Sequence, residues 1–346
     1  MFANYWLASL ATLLLSFFCT VLLTPVMRRF SLKIKKRDRK DKRTVHTKVV
    51  TRMGGAAIYA GILISLLMLY SWGILRLEIL AVVSGSMIIF LIGIRDDLKE
   101  IPSHLKFIGQ IAACLVVIQY GFMINMFTIP FFQLSIKLPL AASYILTILW
   151  ILLITNAVNF IDGLDGLAAG IMAIVCLFLF GISIRTGRTE LAIPFLAVAG
   201  SCTGFLRYNF HPAKVFMGDA GSTSIGFAVG CMTLFGTIKA PAVFPLLIPL
   251  VALGIPAADV CLAVLRRLKN KKSPFAPDKK HLHHKLLETG LPHKDAVLIM
   301  YGVTIMLGII ALNFSPHPSL STLAFAFITI GVILVAIKRI AAGRNA

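Results

Sequence analysis

Residues 155–168, TNAVNFIDGLDGLA, lie where one long apolar run ends and the next begins. Four polar residues recur there at every third position: Asn156, Asn159, Asp162 and Asp165. On a continuous α-helix each would lag the previous one by about 60°, so the four would not share one target. Gly163 and Gly166 allow the chain to bend, so that the carboxylates of Asp162 and Asp165 can converge. Because carboxylates at a membrane boundary are costly to desolvate, the stretch predicts a functional site; a plain polar turn is the alternative.

The composition predicts a membrane protein. The 346 residues are 58% hydrophobic and 14% charged, with a mean hydropathy of +0.89. Eleven apolar runs have the length of membrane spans. They lie near 4–27, 53–75, 77–94, 105–125, 139–158, 166–184, 190–208, 221–238, 242–265, 296–313 and 319–337. The sequence therefore predicts an all-α polytopic membrane protein, with residues 1–346 forming a single integral membrane domain.

The basic residues predict the orientation of this domain. With eleven spans, one side receives 29 of the 34 Lys and Arg residues, including those of loops 28–52 and 266–295. The positive-inside rule then places these loops and the C-terminus in the cytoplasm and the N-terminus outside. Such a face attracts anionic membrane lipids or an anionic substrate. No DNA-binding motif accompanies the charge, so we expect no nucleic-acid partner.

Two adjacent carboxylates, Asp96 and Asp97, end the third apolar run on the predicted cytoplasmic side. Like charges this close repel one another, so keeping both ionised favours a cation beside them. A solvated helix end is the alternative. Lys106 follows at the start of the fourth run and is a candidate substrate-binding residue.

The motif FMGDAGS, residues 216–222, precedes the eighth run. Asp219 stands between two glycines, immediately before a predicted helix. An N-cap formed by Asp219 or Ser222 is one interpretation. The other is a carboxylate ligand for Mg²⁺, which proteins commonly hold through one or two carboxylates and substrate phosphates.

Loop 266–295 contains a histidine cluster of the form H-x-H-H, made by His281, His283 and His284 among lysines. Three histidines suggest zinc, but their spacing differs from the i, i+4 pair of a helical zinc site. Recognition of phosphate or sugar fits this basic setting better. We interpret 266–295 as a cytoplasmic His-rich recognition loop.

Taken together, these motifs resemble the polyprenyl-phosphate N-acetylhexosamine-1-phosphate transferase family. The resemblance rests on NAVNFIDGLDGLA, FMGDAGS, the Asp pair and PDKKHLHHKLL in this order, and it extends over nearly the whole chain. The H-x-H-H cluster preceded by PDKK resembles the N-acetylglucosamine branch. The branch that loads muramoyl-pentapeptide typically has three consecutive histidines, which Leu282 interrupts here.

The resemblance implies a role for each motif. By position, Asp219 resembles the family's Mg²⁺ ligand, with Mn²⁺ as a substitute ion. Asp96 and Asp97 resemble the pair proposed to handle the lipid phosphate, which makes these two and Asp219 the catalytic candidates. Asn159 resembles a second metal ligand, and Phe216 resembles a stacking partner for uracil. The candidates that resemble substrate-binding groups are Lys106, Asn156, Asn159, Asp162, Asp165, Phe216, His281, His283 and His284.

The resemblance also implies the reaction. Undecaprenyl phosphate attacks a UDP-sugar, UMP leaves, and a lipid-linked sugar diphosphate forms on the cytoplasmic face of the bacterial inner membrane. N-acetylglucosamine is the expected sugar; muramoyl-pentapeptide and N-acetylgalactosamine nucleotides are alternatives, and a non-catalytic transporter is a distant one. A homodimer, the polysaccharide pathway served and the choice between one-step and two-step transfer stay open.

Overall fold

The computed structural model describes residues 2–33, 51–75, 78–129, 134–234 and 290–314, together with positions 254, 267 and 287. The helices of these ranges are α1 (Phe2–Lys33), α2 (Gly54–Ser71), α3 (Glu78–Leu98), α4 (Ser103–Gln119), α5 (Leu140–Ile161), α6 (Leu167–Arg185), α7 (Thr189–Asn209), α8 (Gly218–Leu234) and α9 (His293–Phe314). The helical architecture is as predicted. A short antiparallel hairpin, β1 (Met126–Ile129) and β2 (Leu134–Lys137), was not predicted and pairs Met126 with Lys137.

Six of the described helices are long and apolar enough to cross a membrane. These segments are Tyr5–Lys33, Gly54–Ser71, Ile79–Leu98, Leu140–Ile161, Leu167–Arg185 and His293–Asn313. The polytopic membrane class is therefore confirmed. The number of eleven spans and the orientation of the termini stay predictions. The predicted spans 242–265 and 319–337 and most of loops 28–52 and 266–295 lie outside the described ranges.

Helix α1 packs closely against α7 through small residues. A methyl group added at Gly200 would lie 2.4 Å from the carbonyl oxygen of Leu13, and one at Gly204 would lie 2.5 Å from that of Phe17. The facing side of α1 carries buried hydroxyls, and those of Thr12 and Thr24 donate to carbonyls of their own helix at 2.7 Å. Small residues let membrane helices approach closely where no hydrophobic force drives them together.

Two further glycine contacts fix the start of α8 between α2 and α3. A methyl group at Gly55 of α2 would lie 2.2 Å from the amide nitrogen of Gly221. A methyl group at Gly93 of α3 would lie 2.4 Å from Cα of Ala220. The first turn of α8 is therefore held at backbone distance from both neighbours. This packing brings the FMGDAGS motif next to the end of α3.

The chain turns sharply between α5 and α6. Helix α5 ends at Ile161, α6 begins at Leu167, and Gly166 has a φ of +80°. Only glycine adopts that backbone conformation readily. The bend predicted within 155–168 is thus confirmed, and the segment that joins the two helices is called the 162–166 turn below.

Candidate active site

A lysine ammonium lies between two carboxylates at one end of the bundle. The Nζ atom of Lys106, in the first turn of α4, is 2.6 Å from Asp96 Oδ2 and 2.8 Å from Asp219 Oδ2. Asp96 lies in the last turn of α3 and Asp219 in the first turn of α8. The sequence predicted that the Asp pair would need a cation nearby. Lys106 provides that positive charge from within the chain and joins three helices.

Asp97 caps helix α8. Its Oδ1 accepts the backbone N–H of Asp219 at 2.9 Å, and its Oδ2 accepts that of Ala220 at 3.0 Å. The first amides of a helix lack intrahelical acceptors, so a carboxylate placed there both satisfies them and matches the positive end of the helix dipole. The capping role considered for Asp219 or Ser222 is therefore filled by Asp97, from a different helix.

Gly218 makes this cap sterically feasible. It has a φ of +76°, and a methyl group there would lie 2.4 Å from the Arg52 carbonyl oxygen and 2.6 Å from Asp97 Oδ2. Any side chain would therefore displace the capping carboxylate as well as strain the backbone. The glycine before Asp219 is explained by these two requirements.

Asp162 follows the last residue of α5 and lies near the carboxylates of Asp97 and Asp219. Burial raises the pKa of the Asp162 carboxyl well above its usual value, and the nearby carboxylates of Asp219 and Asp97 raise it further. The amide of Gly218, which donates to Asp162, and the charge of Arg52 both lower this pKa. Neighbouring carboxylates repel one another, and a hard divalent cation bound by their oxygens would relieve that repulsion. The Mg²⁺ site predicted from the sequence stays a prediction.

The two asparagines of α5 make different contacts. Asn159 Oδ1 accepts the hydroxyl of Ser222 at 2.8 Å, which links α5 to α8 beside Gly218. A carbonyl oxygen has a second lone pair, so this bond leaves Asn159 able to approach a metal ion. Asn156 donates to Gln110 Oε1 at 3.1 Å and to the Leu152 carbonyl at 2.8 Å. Its amide thus joins α5 to α4, one helical turn beyond Lys106.

Asp165 makes its contacts at a different place from Asp162. Its Oδ2 accepts the Nδ1–H of His211 at 2.9 Å and the amide of Ala213 at 3.0 Å. Its own amide donates to Nε2 of His293, at the start of α9, at 3.3 Å. These contacts of Asp165 are separate from those of Asp162, and the substrate-binding role expected of both residues stays a prediction. The bend after α5 directs Asp165 toward the segment between α7 and α8.

Phe216 is anchored through its backbone. Its amide donates to the Thr51 carbonyl at 2.8 Å, and its carbonyl accepts the amide of Gly54 at 3.0 Å. The residue is partly buried and stands three residues before Asp219. The predicted stacking role stays a prediction.

Two histidines that were not among the candidate residues are held against Asp165. The rings of His211 and His293 stack with centroids 4.5 Å apart and planes inclined by 22°. His293 lies at the end of the predicted recognition loop 266–295, where only the cluster His281–His284 was singled out, and His211 lies outside the predicted motifs. The predicted recognition residues His281, His283 and His284 lie outside the described residues, and their role stays a prediction.

Comparison with known proteins gives consistent matches. Residues 79–237 match the model described as "Glycosyl transferase family 4". A Bacillus subtilis protein named "Probable undecaprenyl-phosphate N-acetylglucosaminyl 1-phosphate transferase" is 37% identical over 86% of this chain and 83% of its own. The Mycolicibacterium smegmatis "Decaprenyl-phosphate N-acetylglucosaminephosphotransferase" is 36% identical over 88% and 80%. The Escherichia coli K12 "Undecaprenyl-phosphate alpha-N-acetylglucosaminyl 1-phosphate transferase" is 29% identical over 85% and 81%.

Proposed function

The chain belongs to glycosyl transferase family 4, and from that membership we propose that it transfers N-acetylglucosamine-1-phosphate from UDP-N-acetylglucosamine to undecaprenyl phosphate. An oxygen of the lipid phosphate bonds to the β-phosphorus of the donor. The bond from that phosphorus to the oxygen bridging the two phosphates breaks, and UMP leaves with the bridging oxygen. The product is an undecaprenyl diphosphate that carries N-acetylglucosamine. The names of the relatives from three organisms support the sugar, the phosphotransfer and a polyprenyl phosphate acceptor.

The observation that carries this proposal is the Lys106 ammonium held between Asp96 and Asp219, with Asp97 and Asp162 beside them. Phosphoryl transfer needs orientation and charge neutralisation more than covalent help from the protein. A lysine and a set of carboxylates around the first turn of α8 supply the orientation and the charge neutralisation. The second phosphate pKa lies near 6, so the lipid phosphate is largely ionised at pH 7 and needs no strong base.

Mg²⁺ is the cofactor that these residues would hold. Asp219 and Asp162 offer carboxylate oxygens and Asn159 offers an amide oxygen. When bound, Mg²⁺ would neutralise charge on the donor diphosphate. Lys106, whose ammonium lies at hydrogen-bond distance from Asp219, would offer the phosphates a further positive charge. Asp97 holds the first turn of α8, and therefore Asp219, in position.

The site groups lie at helix ends: the last turn of α3, the first turns of α4 and α8, and the end of α5. A transporter would be expected to hold its ionisable groups near the middle of the membrane. This arrangement therefore favours an enzyme that works at a membrane surface. The basic loops support a cytoplasmic surface of the bacterial cell membrane, where nucleotide sugars are available.

The proposal is tested with the purified full-length chain, undecaprenyl phosphate, Mg²⁺ and a panel of UDP-sugars. We expect UMP release and a lipid-linked product with UDP-N-acetylglucosamine, and no turnover of UDP-N-acetylmuramoyl-pentapeptide when both are in one tube. Preferential use of the muramoyl-pentapeptide would reject the branch but keep the reaction class. No UMP from any donor, from a protein that is folded and loaded with Mg²⁺, would reject the class.

A further inference from the structure

The 162–166 turn is held at both ends by the segment 209–218. At one end, the amide of Gly218 donates to the carboxylate of Asp162. At the other end, Asp165 accepts bonds from His211 and Ala213, at 2.9 and 3.0 Å. The turn and the segment therefore lie side by side, and Asp219 follows directly after the segment.

The same turn is also bonded by two side chains that do not belong to the carboxylate cluster. Asn209 Oδ1 accepts the amide of Gly166 at 3.0 Å. The hydroxyl of Tyr301, from α9, donates to the carbonyl of Gly166. Its ring packs so closely on α6 that a methyl group at Gly170 would overlap it. The turn therefore contacts helix α9 on one side and the 209–218 segment on the other.

His211 and His293 complete these attachments with defined hydrogen-bond roles. A carboxylate oxygen can only accept, so His211 Nδ1 carries the proton that it donates to Asp165. The amide of Asp165 is a donor, so Nε2 of His293 is the acceptor and is unprotonated. The stacked rings thus hold Asp165 from its carboxylate and from its backbone at once.

We infer that His211 and His293 are positioning residues for this reaction: through Asp165 they set the distance between Asp162 and Asp219, the two carboxylates assigned to Mg²⁺. This inference rests on the proposed function. Outer groups that orient metal ligands commonly contribute 10–100-fold to metal affinity or activity. Neither histidine needs to touch substrate or metal for this role.

The same three residues have the donor atoms of a transition-metal site, with one ligand atom each within 4.8 Å of one another. The orientation of the rings argues against that use. A ring nitrogen binds a metal along a lone pair that lies in the ring plane, at about 2.0–2.1 Å. In two stacked rings inclined by 22° these directions run side by side instead of meeting at one ion.

The experiment uses substitutions that keep or remove one hydrogen-bond role. Asparagine places an N–H near the position of Nδ1, and glutamine places an oxygen near that of Nε2. We therefore compare His211→Asn with His211→Leu, and His293→Gln with His293→Leu. His104→Leu is the matched control, because His104 is exposed on α4 and has no assigned role.

Two measurements are made on each full-length variant. The first is Mn²⁺ binding to the substrate-free protein by electron paramagnetic resonance, which does not depend on turnover. The second is kcat and KM for UDP-N-acetylglucosamine and for undecaprenyl phosphate at saturating Mg²⁺. Thermal unfolding in parallel shows whether each variant folds.

We expect both Leu variants to bind Mn²⁺ about 10–100-fold more weakly and to lose kcat by a similar factor. KM for undecaprenyl phosphate should not change, and His211→Asn and His293→Gln should recover most of both losses. Wild-type Mn²⁺ affinity and kcat in the folded Leu variants would overturn the inference. The inference would also be overturned if His211→Asn and His293→Gln were as impaired as the Leu variants. Stoichiometric Zn²⁺ binding by the wild type that the Asn and Gln variants abolish would overturn it too. An inactive wild type with the expected Mn²⁺ pattern would reject the proposed function and keep only the part of the inference that concerns the metal site.

Discussion

Replacing Gly93 by alanine should lower turnover about 100-fold while the protein still folds. A methyl group there would lie 2.4 Å from Cα and 2.6 Å from the amide nitrogen of Ala220, whereas ordinary contact begins at 3.4 Å. Relieving this overlap needs a shift of about 1 Å between α3 and the first turn of α8, and a misplacement of that size can cost about 100-fold in rate. Because the atoms in the way belong to the backbone, no side-chain rotation relieves the overlap.

The same movement lengthens the two bonds that Asp97 accepts from α8. Losing a helix cap costs about 0.5–2 kcal/mol, which a folded protein of this size can tolerate. Asp219 moves with its helix, which changes its distances to Lys106 and Asp162. The loss should therefore be in kcat and in the Mg²⁺ concentration for half-maximal activity, with little change in thermal stability.

The assay is UMP release over a Mg²⁺ titration, with two matched Gly→Ala controls. At Gly181 of α6 a methyl group would meet its nearest atom, on Leu312, at 3.5 Å, so no shift is needed. At Gly109 it would meet the side chain of Ile92, which can rotate. Both controls should keep kcat within about threefold of wild type, a rate factor worth less than about 1 kcal/mol. If Gly93→Ala also keeps wild-type kcat and Mg²⁺ dependence, the position of α8 does not govern the reaction.

Asp219→Asn should retain the fold, since the side chains are nearly isosteric, but lose activity by about 100-fold or more. Excess chelator should abolish wild-type turnover, and added Mg²⁺ or Mn²⁺ should restore it. Full activity in chelator would contradict the metal role. A single cysteine at Lys279 should react with an impermeant reagent from the cytoplasmic side and one at Gly187 from outside, and labelling of both from one side would refute the predicted topology. His281→Ala should raise KM for the UDP-sugar with undecaprenyl phosphate binding unchanged; an effect on the lipid instead would reassign the His-rich loop.

The membrane class and the helix ends that carry the site were predictable because they depend on local patterns. Apolar runs predict helices, and polar motifs at their ends predict where groups collect. The need of Asp96 and Asp97 for a cation followed from charge repulsion. The identity of that cation did not, because the contact of Lys106 with Asp219 joins residues 113 positions apart.

The role of Asp97 depends on packing that no local pattern encodes. A sequence motif can suggest that a helix needs a cap, but it assigns the cap to a neighbouring residue. Here α3 approaches α8 closely enough at Gly93 for a carboxylate from another helix to reach those amides. The contacts of Asp165 could not be predicted for a related reason. The bend at Gly166 was expected to let Asp162 and Asp165 converge, whereas Asp165 bonds to His211 and Ala213, which lie far along the chain.

The hydroxyls of α1 bear on how the protein is assembled in the bilayer. Thr12 and Thr24 already donate to Ala8 and Thr20 of the same helix, so these groups need no partner helix to be satisfied in lipid. Helix α1 can therefore enter the bilayer as an independent unit during synthesis. Its later docking onto α7, nearly two hundred residues further along the chain, breaks no hydrogen bond of these two threonines. Biogenesis then becomes a two-stage process in which the first helix is inserted before its partner is synthesised.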